Sequence, residues 1–252
     1  METPIITALR AATRVVIFTG AGVSAESGLP TFRDKQTGLW ETFDASELAT
    51  AFAFERDPAL VWGWYEARRA AVLTALPNAG HFAIAAMAGR VPQLSLITQN
   101  VDDLHERAGS PRVAHLHGEL SRPYCQACQR PYVHPAGIPQ LPARGARIDP
   151  PRCAACTGKI RPGVVWFGEP LPPLQWAAAC EAARRAEVFI CCGTSALVQP
   201  AASLTTLAIA SAAMTVQINT NSTDLDDAVT FAIRGASGVI IPELVAQTWG
   251  RP

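Results

Sequence analysis

Arg14-Val15-Val16-Ile17-Phe18-Thr19-Gly20-Ala21-Gly22-Val23-Ser24-Ala25 is the stretch on which the reading of the fold turns. Its first six residues form an apolar run rich in β-branched side chains, with no polar alternation. That is the pattern of a strand covered on both faces, as in a parallel sheet. The run stops at glycines that satisfy the relaxed G-x-G-x-x-G/A spacing, where the backbone can approach a pyrophosphate and a helix N-terminus can hold it. A glycine-rich turn after a strand is also what an ordinary turn looks like. A dehydrogenase would continue into a long helix and end its second strand in an acid. Here Gly28-Leu29-Pro30 stops any helix early, and Thr31-Phe32-Arg33-Asp34 follows. The loop is therefore read as serving something other than hydride transfer.

Similar buried runs recur at Leu94 to Thr98, Val188 to Cys192 and Thr215 to Ile218, each leading into polar or glycine-bearing residues. Between them the pattern predicts helices over Pro58 to Leu76, Ala79 to Ala88, Leu174 to Ala186 and Ala201 to Ala213. Strand, loop and helix in alternation define an α/β chain with a doubly wound parallel sheet. From Leu120 to Pro162 this periodicity disappears and prolines crowd in, so that segment reads as a small inserted module.

The chain has 252 residues, 49% hydrophobic, with 21 Lys+Arg balanced by 21 Asp+Glu. It is long and apolar enough to bury a core, and its low charge argues against disorder. With no net charge there is no broad basic field for nucleic acid or anionic lipid. No charged residue occurs from Val188 to Thr223, but Gly193, Gln199, Pro200 and many Ser and Thr break the stretch, so it does not read as a membrane span. The first residues lack the basic and apolar regions of an export signal, and a cytoplasmic protein is expected.

Of seven cysteines, Cys125 and Cys128 form one C-x-x-C pair, and Cys153 and Cys156 a second. Two such knuckles offer four thiolates to one tetrahedral zinc, a closed structural site; two disulfides or four buried thiols are the alternatives. Arg122, Arg130, Arg144, Arg147, Arg152, Lys159 and Arg161 accompany the module, but they are not a compact nucleic-acid-binding run. Gln99-Asn100-Val101-Asp102-Asp103 sits at a strand C-terminus, where α/β sheets place their ligands, or else is an Asx-capped turn. His115 and His117, two apart on an apolar strand, would share a side, although a lone histidine is commonly structural. Gly193-Thr194-Ser195 is a further turn of the same type.

Gly20-Ala21-Gly22-Val23-Ser24 with Gly28-Leu29-Pro30-Thr31-Phe32-Arg33, then Thr98-Gln99-Asn100-Val101-Asp102, His117-Gly118, the two C-x-x-C pairs, Val164-Val165-Trp166-Phe167-Gly168-Glu169 and Gly193-Thr194-Ser195 stand in the order of the sirtuin family. The chain resembles that family over nearly its whole length. The resemblance implies a Rossmann-like sheet domain (1–119 and 163–252), carrying a small zinc-binding domain (120–162) that is a candidate to recruit part of 34–80. It implies an NAD-dependent protein lysine deacylase with one structural zinc per chain and acyl-lysine proteins or peptides as partners. The products would be free lysine, nicotinamide and O-acyl-ADP-ribose.

By the same resemblance, Gly20, Ala21, Gly22, Ser24 and Arg33 would line the phosphates and ribose of NAD, while Gln99, Asn100 and Asp102 surround nicotinamide. Gly193, Thr194 and Ser195 would take the phosphate and ribose side, and Asn219 and Ser237 the adenosine. Asn221 stands where many members carry Glu, which removes a charge-assisted hydrogen bond to the cofactor. His117 would be the general base, acting with Asn100 and Asp102. Val164, Val165, Trp166, Phe167, Gly168 and Glu169 would receive the substrate backbone as an added strand. Tyr65 and Arg68 share a helix face. On spacing they could be a surface cation beside an aromatic, but they match the Tyr-x-x-Arg pair of sirtuins that remove succinyl and malonyl groups. Ala49 matches the small residue that opens that pocket.

Overall fold

The apolar run at 14–19 forms strand β1 (Arg14–Thr19) in a computed structural model that describes residues 3–31, 44–141 and 146–250. Five of its six residues are buried. It pairs in parallel with β2 (Gln93–Thr98) on one edge and with β6 (Val188–Cys192) on the other. Three further strands, β3 (Val113–His115), β7 (Met214–Asn219) and β8 (Phe231–Arg234), complete a six-stranded parallel sheet in the order β3-β2-β1-β6-β7-β8. The order reverses between β1 and β6, which opens a crevice at the carboxyl ends of those two strands.

Side chains along a strand alternate between faces, so β1 feeds two cores. Val15 and Ile17 pack with Ile5 and Leu9 of α1 (Thr3–Ala11), Ile84 of α6 (Ala79–Met87) and Leu244 of α10 (Ser237–Trp249). Val16 and Phe18 face Ala183 of α8 (Pro173–Arg185) and Leu204 of α9 (Ser203–Ala210).

A third core lies apart from the sheet. Helices α3 (Ala45–Leu48), α4 (Ala51–Arg56) and α5 (Pro58–Thr74) bury Phe54, Leu60, Val61 and Trp64. Leu120, Cys125 and Ile160 of the inserted segment, and Trp166 just beyond it, belong to that same core. The antiparallel ribbon of β4 (Tyr124–Cys125) and β5 (Ile160–Arg161) brings the two Cys pairs together. Asp57 starts α5 by accepting a hydrogen bond from Leu60 N, with Pro58 at the first helical position. The helix ends at Thr74, two residues short of the Leu76 expected, because Leu76 precedes Pro77 and is biased away from helical torsions. The regular part of α9 is likewise shorter than the Ala201–Ala213 span. Among the described residues, no single helix is long and apolar enough to cross a membrane.

Helix α5 runs close against the chain at 146–148, where Ile148 N donates to Ala59 O at 2.9 Å. A Cβ on Gly63 would overlap the Ala146 carbonyl oxygen, which is backbone and cannot rotate away. Gly63→Ala should therefore destabilise the protein by about 1–3 kcal/mol, despite the better helix propensity of alanine. Urea unfolding of the two proteins measures this, and an unchanged or raised midpoint would contradict the contact.

Candidate functional site

Every expected cofactor-side residue among the described ones stands at the carboxyl edge of the sheet. Gly20 to Ser24 follow β1, Gln99 to Asp102 follow β2, His117 lies two residues past the end of β3, Gly193 to Ser195 follow β6, Asn219 ends β7, and Ser237 opens α10 beyond β8. Arg33 lies outside the described residues. The loops after β1 and β6 touch along their backbones: Gly22 N donates to Gly193 O at 2.7 Å, and a Cβ on Gly22 would come within 2.7 Å of Gly193 Cα. Such a side-chain-free cradle beside the short helix α2 (Gly22–Ala25) suits the phosphates of a dinucleotide. Thr194 ties three loops into one rim, its Oγ1 accepting from Gln99 Nε2 and its carbonyl from Asn219 Nδ2, both at 2.7 Å. Asn221 is not part of this net. It is exposed and, among the described residues, its side chain reaches Thr220 Oγ1 at 3.4 Å.

Below the rim is a buried hydrogen-bonded cluster. Ser24 Oγ donates to Asp102 Oδ2 and accepts from Asn100 Nδ2, each at 3.0 Å. Asn78 N donates to Nδ1 of His81 in the capping box of α6, which leaves the His81 proton on Nε2, 3.5 Å from Ser24 Oγ. His105, on α7 (Leu104–Arg107), approaches Thr19 Oγ1 with Nε2 at 3.0 Å, and its ring centroid lies 4.8 Å from that of His81. Burial pulls His81 down to about 4 and His105 to about 3, so both are neutral near pH 7. Burial also raises the Asp102 carboxyl, against the lowering effect of Leu104 N–H and Ser24.

The two histidines at the end of β3 part company. The strand ends at His115, so His117 lies past it, yet both lean on the loop after β2. His115 Nδ1 lies 2.9 Å from Asn100 O and Nε2 2.7 Å from Glu106 Oε1. Burial lowers its pKa, but the Glu106 hydrogen bond and the Asn100 carbonyl outweigh that and leave it raised. His117 Nδ1 lies 3.0 Å from Gln99 O, and a proton there leaves the Nε2 lone pair open. Burial lowers the His117 pKa against the Gln99 carbonyl, which favours the neutral ring.

The 164–169 segment joins the third core to the sheet. Val165 N donates to His117 O at 2.8 Å, and Phe167 N to Ala49 O at 2.9 Å. Trp166 N donates to Glu169 Oε2 at 2.8 Å. Three N–H groups in a row are thus already engaged, and the Val164 and Trp166 carbonyls accept from Arg161 Nη2 and Glu169 N, so an added strand would rely on the segment's other backbone groups. Tyr65 is buried and Arg68 half-buried with Nε closed off from solvent, which departs from a surface pair. The Arg68 guanidinium lies over the Trp64 ring at 5.1 Å, and Tyr65 accepts a hydrogen bond from Trp166 Nε1 at 3.1 Å. Burial lowers the Arg68 pKa, while Tyr65 and Asp102 support the cation.

The sulfurs of Cys125, Cys128, Cys153 and Cys156 all lie within 4.8 Å of one another. The closest approaches, 3.4 Å for Cys125–Cys156 and 3.7 Å for Cys128–Cys153, are far too long for disulfides. They fit a tetrahedron around zinc, whose ~2.3 Å bonds set sulfurs about 3.8 Å apart. A neighbouring backbone N–H, of Cys128 for the first and Ala155 for the second, lowers the Cys125 and Cys153 thiols. Cys156 rises to about 12, because the Gly158 N–H that lowers it is outweighed by the adjoining sulfurs. A divalent cation relieves that crowding.

His81, His105, Glu106 and the buried Arg161 are absent from the sequence-derived site. The only local signal among them is Asn78-x-x-His81, a helix-start pattern.

A family model described as the Sir2 family matches residues 20–200. The chain is 55% identical over 241 residues to an NAD-dependent protein deacylase of Methylococcus capsulatus, covering 96% of this chain and 94% of that one. It is 49% identical over 245 residues to NAD-dependent protein deacylase 1 of Pseudomonas aeruginosa, with 97% and 98% covered. Among solved structures, a Sir2 homolog–NAD complex superposes with a TM-score of 0.88 at 42% identity, covering 98% of this chain and 94% of that one. A Sir2–p53 peptide–NAD+ complex superposes at 0.84 with 28% identity, covering 98% of each chain. The chain belongs to the Sir2 family. It is an NAD-dependent enzyme acting on acyl-lysine, and its four-cysteine cluster fits a structural zinc.

The buried histidines make stability depend on pH. From about pH 6.5 downward the unfolded chain takes protons that folded His81 and His105 refuse, so stability is lost until the pH reaches their folded values. By pH 5 each costs about 2 kcal/mol relative to pH 7, while His115, shifted upward, recovers part of the loss. Urea unfolding at the two pH values should show a net fall on the order of a few kcal/mol, whereas a flat profile would mean that these rings are hydrated.

Proposed function

We propose that the chain removes acetyl groups and also the acidic succinyl and malonyl groups from lysine side chains, giving free lysine, nicotinamide and O-acyl-ADP-ribose. The observation that carries the acidic-acyl reading is the setting of Arg68, half-buried with Nε closed off from solvent and its guanidinium over Trp64, on one helix face with buried Tyr65. A carboxylate that loses its water is tolerated only when paired and hydrogen-bonded. A guanidinium fork and a phenol supply that pairing.

NAD, when bound, supplies the ribose carbon that receives the acyl oxygen as nicotinamide leaves. Gly20, Ala21, Gly22 and Arg33 would hold its phosphates together with Gly193, Thr194 and Ser195, and Asn219, Asn221 and Ser237 would face its adenosine. Asn100 and Asp102, with Ser24 and Gln99 beside them, would keep the nicotinamide ring in a pocket closed to water. His117 Nε2 would take a proton from a ribose hydroxyl, since its Nδ1 is committed to Gln99 O. His115 has no such role, because both of its nitrogens are engaged. Val164 to Glu169 would carry the substrate backbone, and Ala49 would leave room for the longer acyl chain.

The expected division, 1–119 and 163–252 against 120–162, is best drawn with α3 to α5 added to the smaller part, because those helices share a core with the Cys ribbon. A thiolate zinc site suits the reducing cytoplasm. Burial and ion pairing of Arg161 remove one of the cations that a nucleic-acid surface would use.

The test is mass spectrometry of matched acetyl-, succinyl- and malonyl-lysine peptides with and without NAD. Arg68→Met should lower kcat/KM for the succinyl peptide by about 2–5 kcal/mol and leave the acetyl peptide little changed. Equal losses on both would reduce the reading to a plain deacetylase. His117→Ala should abolish turnover of all three peptides while NAD binding, followed by calorimetry, persists. Near-normal turnover in that variant would remove His117 from its role.

A further inference from the structure

Arg161 lies on β5 of the Cys ribbon, 6% exposed, and has no place in the scheme above. Its Nη1 and Nη2 grip both oxygens of Glu169 at 2.6 and 2.8 Å, and Nη2 also donates to Val164 O at 3.1 Å. The guanidinium carbon stands 3.6 Å from the centroid of the Trp166 ring, and Phe54 packs on that indole at 5.2 Å. One cation thus fixes the backbone, the carboxylate and the ring of the 164–169 segment together. The segment in turn touches the carbonyls of His117 and Ala49 and, through the indole N–H, the hydroxyl of Tyr65.

That last contact has a direction. An indole N–H can only donate, so the Tyr65 oxygen must accept, and the phenol proton is left to be given elsewhere. A phenol held in this way is a donor toward whatever enters beside Arg68, which favours an acyl group ending in a carboxylate. We propose that Arg161 is a positioning residue for the acyl side of the reaction: it clamps Trp166 so that Tyr65 presents its proton to the acyl terminus, linking the order of the Cys ribbon to acyl selectivity. The selectivity half of this rests on the acidic-acyl reading; the clamping half does not.

Arg161→Lys keeps the charge but loses the bidentate grip and the flat stacking surface. Trp166→Phe keeps a ring under Arg161 but deletes the donor to Tyr65 together with part of the indole's bulk. Both are compared with the parent enzyme, zinc content checked, on matched acetyl and succinyl peptides. For Arg161→Lys the KM for the acetyl peptide should rise about tenfold while the KM for NAD stays within about twofold, the scale of a lost hydrogen bond to a charged group. For Trp166→Phe the succinyl-to-acetyl ratio of kcat/KM should fall about fivefold, as for one lost neutral hydrogen bond. A role in folding alone would scale kcat with the folded fraction and move neither KM nor the ratio, and that result overturns the proposal. If the parent enzyme leaves succinyl peptides untouched, the acidic-acyl reading fails by itself. The split between peptide and NAD KM on the acetyl substrate then decides the role of Arg161, and an unchanged split rejects it.

Discussion

Strand β1 has neighbours in every direction: paired strands on both edges and packed helices on both faces. Nothing polar can be placed along it without a partner, so all of its chemistry is pushed to its carboxyl end. There the chain must leave the sheet beside the loop from β6, at a separation that admits no side chain. The glycines at 20, 22 and 193 follow from that crowding.

The strands that the sequence makes legible are those closed in by others. β1, β2, β6 and β7 read as continuous apolar runs because at least part of each is buried on both faces. The edge strands β3 and β8 are short, and Phe231–Arg234 alternates between half-buried and exposed, so neither separates from loop by pattern. Helix α10 carries Pro242 inside it, and α1 offers only a few buried positions. At the site, residues announced by glycine or amide clusters at strand ends are legible. His81 and His105 are not, because Ser24 and Thr19, the groups they meet, are 57 and 86 residues away in the chain. Arg161 reads as one of several basic residues in a loop, and only folding shows that it is buried and spent on Glu169.

The contrast between His115 and His117 illustrates how small a difference assigns roles. Both rings lean on consecutive carbonyls of one loop, His115 buried and His117 partly so. Glu106 reaches one of them and not the other. The ring with a carboxylate partner is held at both nitrogens and keeps its proton more readily than a free imidazole; the ring without one is held at Nδ1 and gives its proton up more readily. A sequence with two histidines two residues apart contains no hint of this, because the partner comes from a different helix.

The alternating hydrogen bonds of the 164–167 segment have a mechanical consequence. Val165 is fastened to the sheet side through His117 O, and two residues later Phe167 is fastened to the helical side through Ala49 O. A strap stitched in this way resists shear, since sliding one layer past the other would break both stitches together, but it bends at little cost about its own line. A rotation of one layer against the other about this segment would keep both stitches, and the atoms nearest that line would move least. His117, Ala49 and Trp166 stand on that line and would be the groups least displaced by such a turn.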